Sequence, residues 1–147
     1  MPDKTYPEPA VSVLVFNPKD EILLFKTDKW KGGYRLPSGQ IEMGERAEDA
    51  VRRKVHEETG IKDVRDIKFI AWQEMIYDDQ FHDKKRHFIF LDFACKTASS
   101  VATMSEDAQP CVWVNLYDAL RLPIHKYAKK TIEEYIRKES RIVTKNR

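Results

Sequence analysis

Alternating apolar and polar positions near the start of the chain predict a β-hairpin. Residues 10–17 and 21–27 are both rich in β-forming side chains, and a short Pro-Lys-Asp turn separates them. Successive side chains of a strand point to opposite faces, so this alternation is typical of strands with one buried face. A loop over residues 29–34 and a short strand entering Pro37 follow.

Further along the chain, the pattern alternates between strand and helix periodicity. It predicts long strands over residues 67–77 and 86–96 and a final strand over residues 111–114. It predicts helices over residues 46–59, 117–120 and 125–138. Strands interleaved with packed helices indicate an α/β domain. The length of 147 residues suits one domain spanning residues 1–147.

The predicted helix over residues 46–59 is stopped by Gly60 and has an unusual distribution of charge. At about 100° per residue, one narrow arc contains both apolar and charged side chains: Ala47, Ala50, Val51, Lys54, Glu57, Glu58 and Ile61. The opposite side contains the polar residues of a solvated face: Glu48, Asp49, Arg52 and His56. We therefore expect the last turn to direct Glu57 and Glu58 inward, where a buried carboxylate needs a neighbouring cation.

Either a basic side chain or a metal ion would satisfy these acids. Arg53 precedes Glu57 by four residues and can reach it on the helix surface. Adjacent carboxylates, a third acid at Glu45 and a glycine-containing loop before the helix suit Mg²⁺ or Mn²⁺, which prefer oxygen ligands. The structural alternative is a salt-bridge cluster of Glu45, Arg53, Glu57 and Glu58 that closes the helix end.

The spacing over residues 39–61 resembles the Nudix box. The matching residues are Gly39, Glu45, Arg53, Val55, Glu57, Glu58, Gly60 and Ile61, preceded by the segment LPSGQIEMGE. The box has glutamate directly after its arginine, where this chain has Lys54, and most relatives have glycine where this chain has Ser38. The resemblance implies the Nudix fold, a mixed β-sheet between helices in an α/β/α sandwich.

The resemblance also implies a reaction, the hydrolysis of a diphosphate bond in a nucleoside diphosphate derivative, with Mg²⁺ or Mn²⁺ as cofactor. The catalytic residues would then be Glu57, Glu58 and Arg53, and Arg53 would orient the carboxylates. The implied metal ligands are Glu58 first, then Glu57, Glu45 and the turn at Ser38 and Gly39. Glu45 would act through a further metal ion or through Arg53.

Lys54 changes what the resemblance implies for mechanism, because an ammonium group neither binds metal nor activates water at neutral pH unless burial deprotonates it. One interpretation is a site with fewer metal ions, in which Lys54 balances phosphate charge and another acid is the base. A second is a domain that binds a nucleotide and has lost most catalysis. A third is that the lysine is an engineered or accidental substitution.

A substitute base would come from a loop that reaches the metal site. Glu106 is the first candidate because relatives often place an acid there, and Asp107 is its neighbour. Glu74 and His82 are weaker candidates. The competing interpretation of Glu106 is an ordinary solvated loop acid.

Aromatic residues are the candidates for holding the rest of the substrate: Trp30, Tyr34, Trp72, Tyr77 and Phe81. Core packing is the competing interpretation for each of them. Tyr77 follows the box by the interval seen in dinucleoside polyphosphate hydrolases of the family. Nucleoside triphosphates, ADP-ribose and nucleotide sugars also remain candidate substrates, together with dinucleoside polyphosphates.

Composition adds few constraints on partners. The chain is 41% apolar and 34% charged, with a formal charge of +2 that argues for neither nucleic acid nor a membrane. The basic segment 126–147 fits an amphipathic helix with solvated lysines, and an RNA-associated domain is the rival interpretation. Cys95 and Cys111 lie in apolar surroundings without a signal peptide, which suggests reduced core residues in a cytoplasmic protein. The Nudix resemblance implies a small-molecule nucleotide as the partner, and a homodimer is left open.

Overall fold

Six strands form one mixed β-sheet, which the computed structural model describes over residues 6–27, 33–78, 85–99 and 108–145. The strands are β1 (Glu8–Phe16), β2 (Ile22–Thr27), β3 (Ser38–Gln40), β4 (Arg65–Ile76), β5 (His87–Lys96) and β6 (Ala108–Val114). Their order is β4-β5-β1-β2-β6, with β3 also paired to β1. β1 and β5 are parallel, and the other pairs are antiparallel. The single-domain assignment stays a prediction.

Helices cover both faces of the sheet: α1 (Ala47–Thr59) on one and α3 (Lys126–Lys145) on the other, with the short α2 (Leu116–Ala119) before α3. Because side chains of β1 alternate between the faces, Val13 packs with Val51 of α1, whereas Leu14 packs with Ile132 of α3. The expected α/β/α sandwich is confirmed. Among the described residues, no helix is long and apolar enough to cross a membrane.

The predicted hairpin and box helix are present with small shifts at their ends. α1 begins at Ala47 rather than at residue 46, because Arg46 has an extended backbone. Gly60 ends it as predicted, with a left-handed φ of 77° and its N–H donated to the carbonyl of His56. Asp20 in the hairpin turn has a φ of 58°, a conformation that aspartate tolerates better than most residues.

Other predicted boundaries differ from the structure, at three strands that pair with distant strands and at the end of α3. The strand predicted to enter Pro37 lies after it, because Ser38 and Gln40 pair with β1 opposite Ser12 and Ala10. β4 starts two residues earlier than predicted and β6 starts three residues earlier. α3 continues to Lys145 rather than ending at residue 138. A local pattern cannot show these pairings, since register depends on the partner strand.

A buried polar network connects β4, β5 and α3. The Gln73 amide nitrogen donates to Asp92 Oδ2 at 2.9 Å, to Thr131 Oγ1 at 3.0 Å and to the Tyr127 carbonyl at 3.1 Å. Asp92 is only 1% exposed. Burial raises the pKa of Asp92 to about 7, although hydrogen bonds from Gln73 and Thr131 oppose the rise. The folded protein therefore holds a proton on Asp92 that the unfolded chain releases at lower pH.

We predict that Asp92 makes the fold less stable as pH rises. Its pKa is about 7 in the fold against an ordinary 3.8, so its contribution is complete below pH 3.8 and is lost as pH rises through about 7. Asp92→Asn should remove this dependence and reduce the pH-dependent change in unfolding free energy by about 2 kcal/mol. Urea unfolding at pH 5 and pH 8 measures the difference.

Asp49→Asn, an exposed change on α1, is the control and should leave the slope as in the wild type. Equal pH dependence in Asp92→Asn and the wild type would contradict the protonated state of Asp92.

Candidate active site at the start and end of α1

Glu58 lies where the strand before α1 meets the last turn of the helix. One of its carboxylate oxygens accepts a hydrogen bond from the Ser38 N–H at 2.9 Å. Burial raises the pKa of Glu58 to about 7, while the Ser38 hydrogen bond and the charges of Lys54 and Arg35 oppose the rise. Within the described residues, no ion pair reaches Glu58. It is therefore a half-buried carboxylate that an added cation would stabilise.

Arg53 ties the loop before α1 to the helix. Its guanidinium donates two hydrogen bonds to Glu45, at 2.8 and 3.0 Å, and one to the Gln40 carbonyl at 2.9 Å. A third nitrogen donates to Glu57 at 3.2 Å. Hydrogen bonding from Arg53 lowers the pKa of Glu45 to about 2. Glu45 therefore contacts Arg53, and its role toward a metal ion stays a prediction.

The Lys54 side chain lies between Gly39 of β3 and Glu57. Its ammonium donates to Glu57 Oε2 at 3.1 Å, and its stem crosses Gly39 so closely that a Cβ there would lie 2.1 Å from Lys54 Cε. Burial pushes the pKa of Glu57 upward, but hydrogen bonds from Lys54 and Arg53 outweigh it, and the pKa is lowered. Glu57 thus contacts two protein cations, whereas no cation of the described segments contacts Glu58 directly.

The expectation that Glu57 and Glu58 both face inward is wrong for Glu57. Its side chain is 47% exposed, whereas Lys54 is 22% exposed and Glu58 is half-buried. Glu57 lies at the edge of the helical arc that the sheet covers, so its side chain reaches solvent. The buried positions of α1 are Ala50, Val51, Val55 and Thr59.

The Glu58 carboxylate has the oxygen donors that a hard divalent cation prefers. The described residues contain no group of three or more His, Cys, Asp or Glu side chains that could hold a metal ion. Both oxygens of Glu45 accept hydrogen bonds from Arg53, and Glu57 is shared with Lys54. The ligand set of Glu58, Glu57, Glu45, Ser38 and Gly39 therefore stays a prediction, with Glu58 the residue that fits it best.

The aromatic residues predicted to bind substrate and the acids and histidine predicted as bases lie on different elements. Tyr34 is half-buried against the core between β1 and α3, with Lys26 Nζ 4.7 Å from its ring centre. Tyr77 is 64% exposed and has a left-handed φ of 51° at the end of β4. Trp72 is exposed on β4, and Glu74 is 3.8 Å from His87. Outside the described residues lie Trp30, Phe81, His82, Glu106 and Asp107.

The structure also contains a cleft, next to the segment before α1, that the sequence did not predict. Its lining comes from β1, the segment before α1, β4, β5 and the start of α3: Ser12, Arg35, Leu36, Ser38, Gln73, Met75, Phe90, His125, Tyr127 and Ala128. Ser38 is part of both the acidic site and the cleft. Its N–H donates a hydrogen bond to Glu58, and the residue also lines the cleft. Ser38 and Gln73 thus line the same cleft, one beside the acidic site and one in the buried polar network. Polar Gln73 and Asp92 inside apolar strands were the available signal.

Arg35 lines the cleft and is close to the carboxylates of Glu58 and Asp78. Arg35 is 8% exposed, and burial lowers its pKa to about 10, while the charges of Glu58 and Asp78 oppose the change. Asp78 is 3.1 Å from Lys126 Nζ and accepts a hydrogen bond from the Tyr127 hydroxyl at 3.3 Å. Arg35 remains charged at neutral pH and therefore offers a positive charge beside these carboxylates.

Comparison with known proteins identifies the family. A sequence model described as the NUDIX domain matches residues 6–135. The chain is 28% identical over 137 residues to an ADP-ribose pyrophosphatase of Methanocaldococcus jannaschii, covering 91% of this chain and 77% of the relative. It is 31% identical over 107 residues to the nucleoside triphosphatase NudI of Escherichia fergusonii, covering 69% and 74%.

A solved structure supports the same fold. The NUDIX domain of Shewanella oneidensis NrtR, complexed with ADP ribose, superposes with a TM-score of 0.74 at 18% identity, covering 92% of this chain and 90% of that one. At this identity the likeness concerns the fold alone. The family match over residues 6–135, together with the box around Glu58, shows that this chain belongs to the NUDIX domain family.

Proposed function

We propose that this chain hydrolyses a diphosphate bond in a nucleoside diphosphate derivative and depends on Mg²⁺ or Mn²⁺. The observation that carries the proposal is the half-buried Glu58 carboxylate, held by the Ser38 N–H beside a cleft with the cationic Arg35. Two relatives, named as an ADP-ribose pyrophosphatase and a nucleoside triphosphatase, support a nucleotide substrate. Dinucleoside polyphosphates and nucleotide sugars complete the set of substrates to test.

The side chains divide into those that hold a metal and those that hold phosphate. Glu58, with Glu57, would hold a divalent ion, which when bound supplies charge neutralisation at phosphorus and a more acidic water. Arg53 positions Glu57 and the loop through Glu45. Lys54 and Arg35 balance the negative charge of the phosphates. Their positive charge reduces the repulsion that makes a diphosphate ester resist attack.

Hydrolysis adds a water oxygen to one phosphorus and breaks its bond to the bridging oxygen, which leaves with the second phosphate. The water must lose a proton to a base. Glu106 remains the proposed base, and it lies outside the described residues.

A binding domain is the second candidate function. The observation that favours it is the contact of Lys54 with Glu57 at 3.1 Å, because a cation occupies the place where the family pattern has a third acid. Such a domain would retain the cleft and the cationic Arg35 while hydrolysing slowly.

One experiment separates the two functions. The purified chain is incubated with nucleoside triphosphates, ADP-ribose, dinucleoside polyphosphates and nucleotide sugars, with Mg²⁺, Mn²⁺ or a chelator, and the products are separated by chromatography. Metal-dependent release of a mononucleotide or phosphate supports the hydrolase. Binding of a nucleotide without turnover supports the second candidate.

We predict that Glu58→Gln lowers kcat by at least about 100-fold, because the amide cannot offer the anionic oxygens that a divalent cation needs. Glu48→Gln, an exposed change on the other side of α1, should leave kcat unchanged. Steady-state kinetics on the best substrate measures both. Full turnover by Glu58→Gln would remove Glu58 from the metal site.

We predict that Lys54→Met raises KM roughly tenfold with a smaller effect on kcat, because it removes a cation facing the phosphates. Lys62→Met, an exposed lysine after α1, is the matched control. Lys54→Glu tests the alternative directly. An inactive wild type whose activity appears in Lys54→Glu would mean that the lysine silences the site, and the hydrolase proposal would fail.

We predict that Arg53→Lys lowers kcat about tenfold or more and leaves KM nearly unchanged, since a lysine cannot hold Glu45 with two parallel hydrogen bonds and also bind Glu57. The adjacent Arg52→Lys, which only loosens an exposed pair with Asp49, should behave as the wild type. Equal kinetics for the two variants would contradict a positioning role for Arg53.

A further inference from the structure

The two oxygens of the Glu57 carboxylate are each nearest to a different protein cation. Lys54 Nζ donates to Oε2 at 3.1 Å, while Arg53 Nη1 is 3.2 Å from Oε1 and 3.4 Å from Oε2. Arg53 is also hydrogen-bonded to Glu45 and to the Gln40 carbonyl. Lys54 is therefore the cation that can leave Glu57 without releasing the loop before α1.

The packing of the Lys54 stem keeps its ammonium in this position. A Cβ built at Gly39 would lie 2.1 Å from Lys54 Cε and 2.6 Å from Lys54 Cδ, so the stem fills the place of a side chain there. The Lys54 side chain is also less exposed than that of Glu57. Because a packed stem leaves the ammonium few other positions, the charge stays beside Glu57.

The charge of Lys54 acts on Glu58 as well as on Glu57. Burial raises the pKa of Glu58 to about 7, and the positive charge of Lys54 opposes this rise. Burial also acts to raise the pKa of Glu57, but hydrogen bonds from Lys54 and Arg53 lower it. One ammonium thus stabilises the negative charge of both acids, which is also what a divalent cation bound by them would do.

A divalent cation and the Lys54 ammonium therefore compete for the same two acids. A cation that binds Glu58 is repelled by the positive charge of Lys54. To bind Glu57 Oε2 as well, the cation has to replace the 3.1 Å contact with Lys54 Nζ. Both effects weaken the binding of the cation, and both disappear when the ammonium is removed.

We propose that Lys54 is a built-in counter-ion of Glu57 that limits the affinity of the site for divalent cations. In the wild type, Glu57 reaches the cation only after Lys54 has released it. This inference rests on the proposed metal-dependent function, and it names the residue that sets the strength of metal binding. It also gives Lys54 a role before any nucleotide binds.

Calorimetric titration of the nucleotide-free chain with Mn²⁺ tests the inference. Lys54→Met keeps an unbranched stem over Gly39 and removes the charge, and we expect it to bind Mn²⁺ roughly tenfold more tightly than the wild type. Lys62→Met removes the same charge from an exposed position after α1 and should bind Mn²⁺ as the wild type does. Without nucleotide, the action of Lys54 on phosphate does not enter the measurement.

A double variant separates release of Glu57 from simple repulsion between charges. In a Glu57→Gln background, the gain from Lys54→Met should fall to about twofold, because no carboxylate remains to be released. In a Glu48→Gln background, which removes an exposed acid of the same helix, the gain should stay roughly tenfold. Circular dichroism confirms that each variant is folded.

Equal Mn²⁺ affinity in the wild type and a folded Lys54→Met would overturn the inference, and so would absence of Mn²⁺ binding to both. Equal gains with and without Glu57 would also overturn it, because Lys54 would then act by repulsion alone. Binding that is unchanged in Glu58→Gln would place the cation elsewhere and contradict it as well. Binding to Lys54→Met alone would support it.

Failure of the hydrolase proposal gives a different result. No nucleotide in the substrate panel would then turn over, whereas Mn²⁺ would still bind more tightly to Lys54→Met than to the wild type.

Discussion

The contact between Arg53 and Glu45 is the interaction on which the geometry of the site depends. The planar guanidinium matches a carboxylate with two parallel hydrogen bonds and still has donors for the Gln40 carbonyl and Glu57. It thereby holds the loop before α1 against the middle of the helix. The strand that precedes this loop carries the Ser38 N–H that holds Glu58. The position of this half-buried acid therefore depends on a side chain that does not touch it.

The acids of the site differ in how many positively charged side chains contact them. Glu57 is held by two protein cations at the surface, whereas Glu58 is half-buried and, among the described residues, accepts a hydrogen bond from one backbone donor. Burial without a paired cation explains why the pKa of Glu58 is raised while that of Glu57 is lowered. Lys54 supplies one of the two positive charges that contact Glu57.

Much of the fold could be predicted because its signals are local. The hairpin, the box helix and the Gly60 terminus follow from side-chain alternation, helical spacing and the conformational freedom of glycine. The pairing of Arg53 with Glu57 could also be predicted, since the two residues are one helical turn apart, and Arg53 contacts Glu45 as well. The helical angle alone wrongly predicted that Glu57 faces inward. The angle gives the direction of a side chain, but it does not show where the sheet ends and solvent begins.

The sequence by itself determined the elements, the family and the set of acids around α1, because the spacing of residues within one helix sets their relative positions. Only the tertiary structure decided how exposed each of those acids is and which residues line the cleft. Gln73, Phe90 and Tyr127 are far apart in the chain, and they meet because β4, β5 and α3 pack in one register. That register results from pairing between distant segments, for which no local pattern along the chain carries a signal.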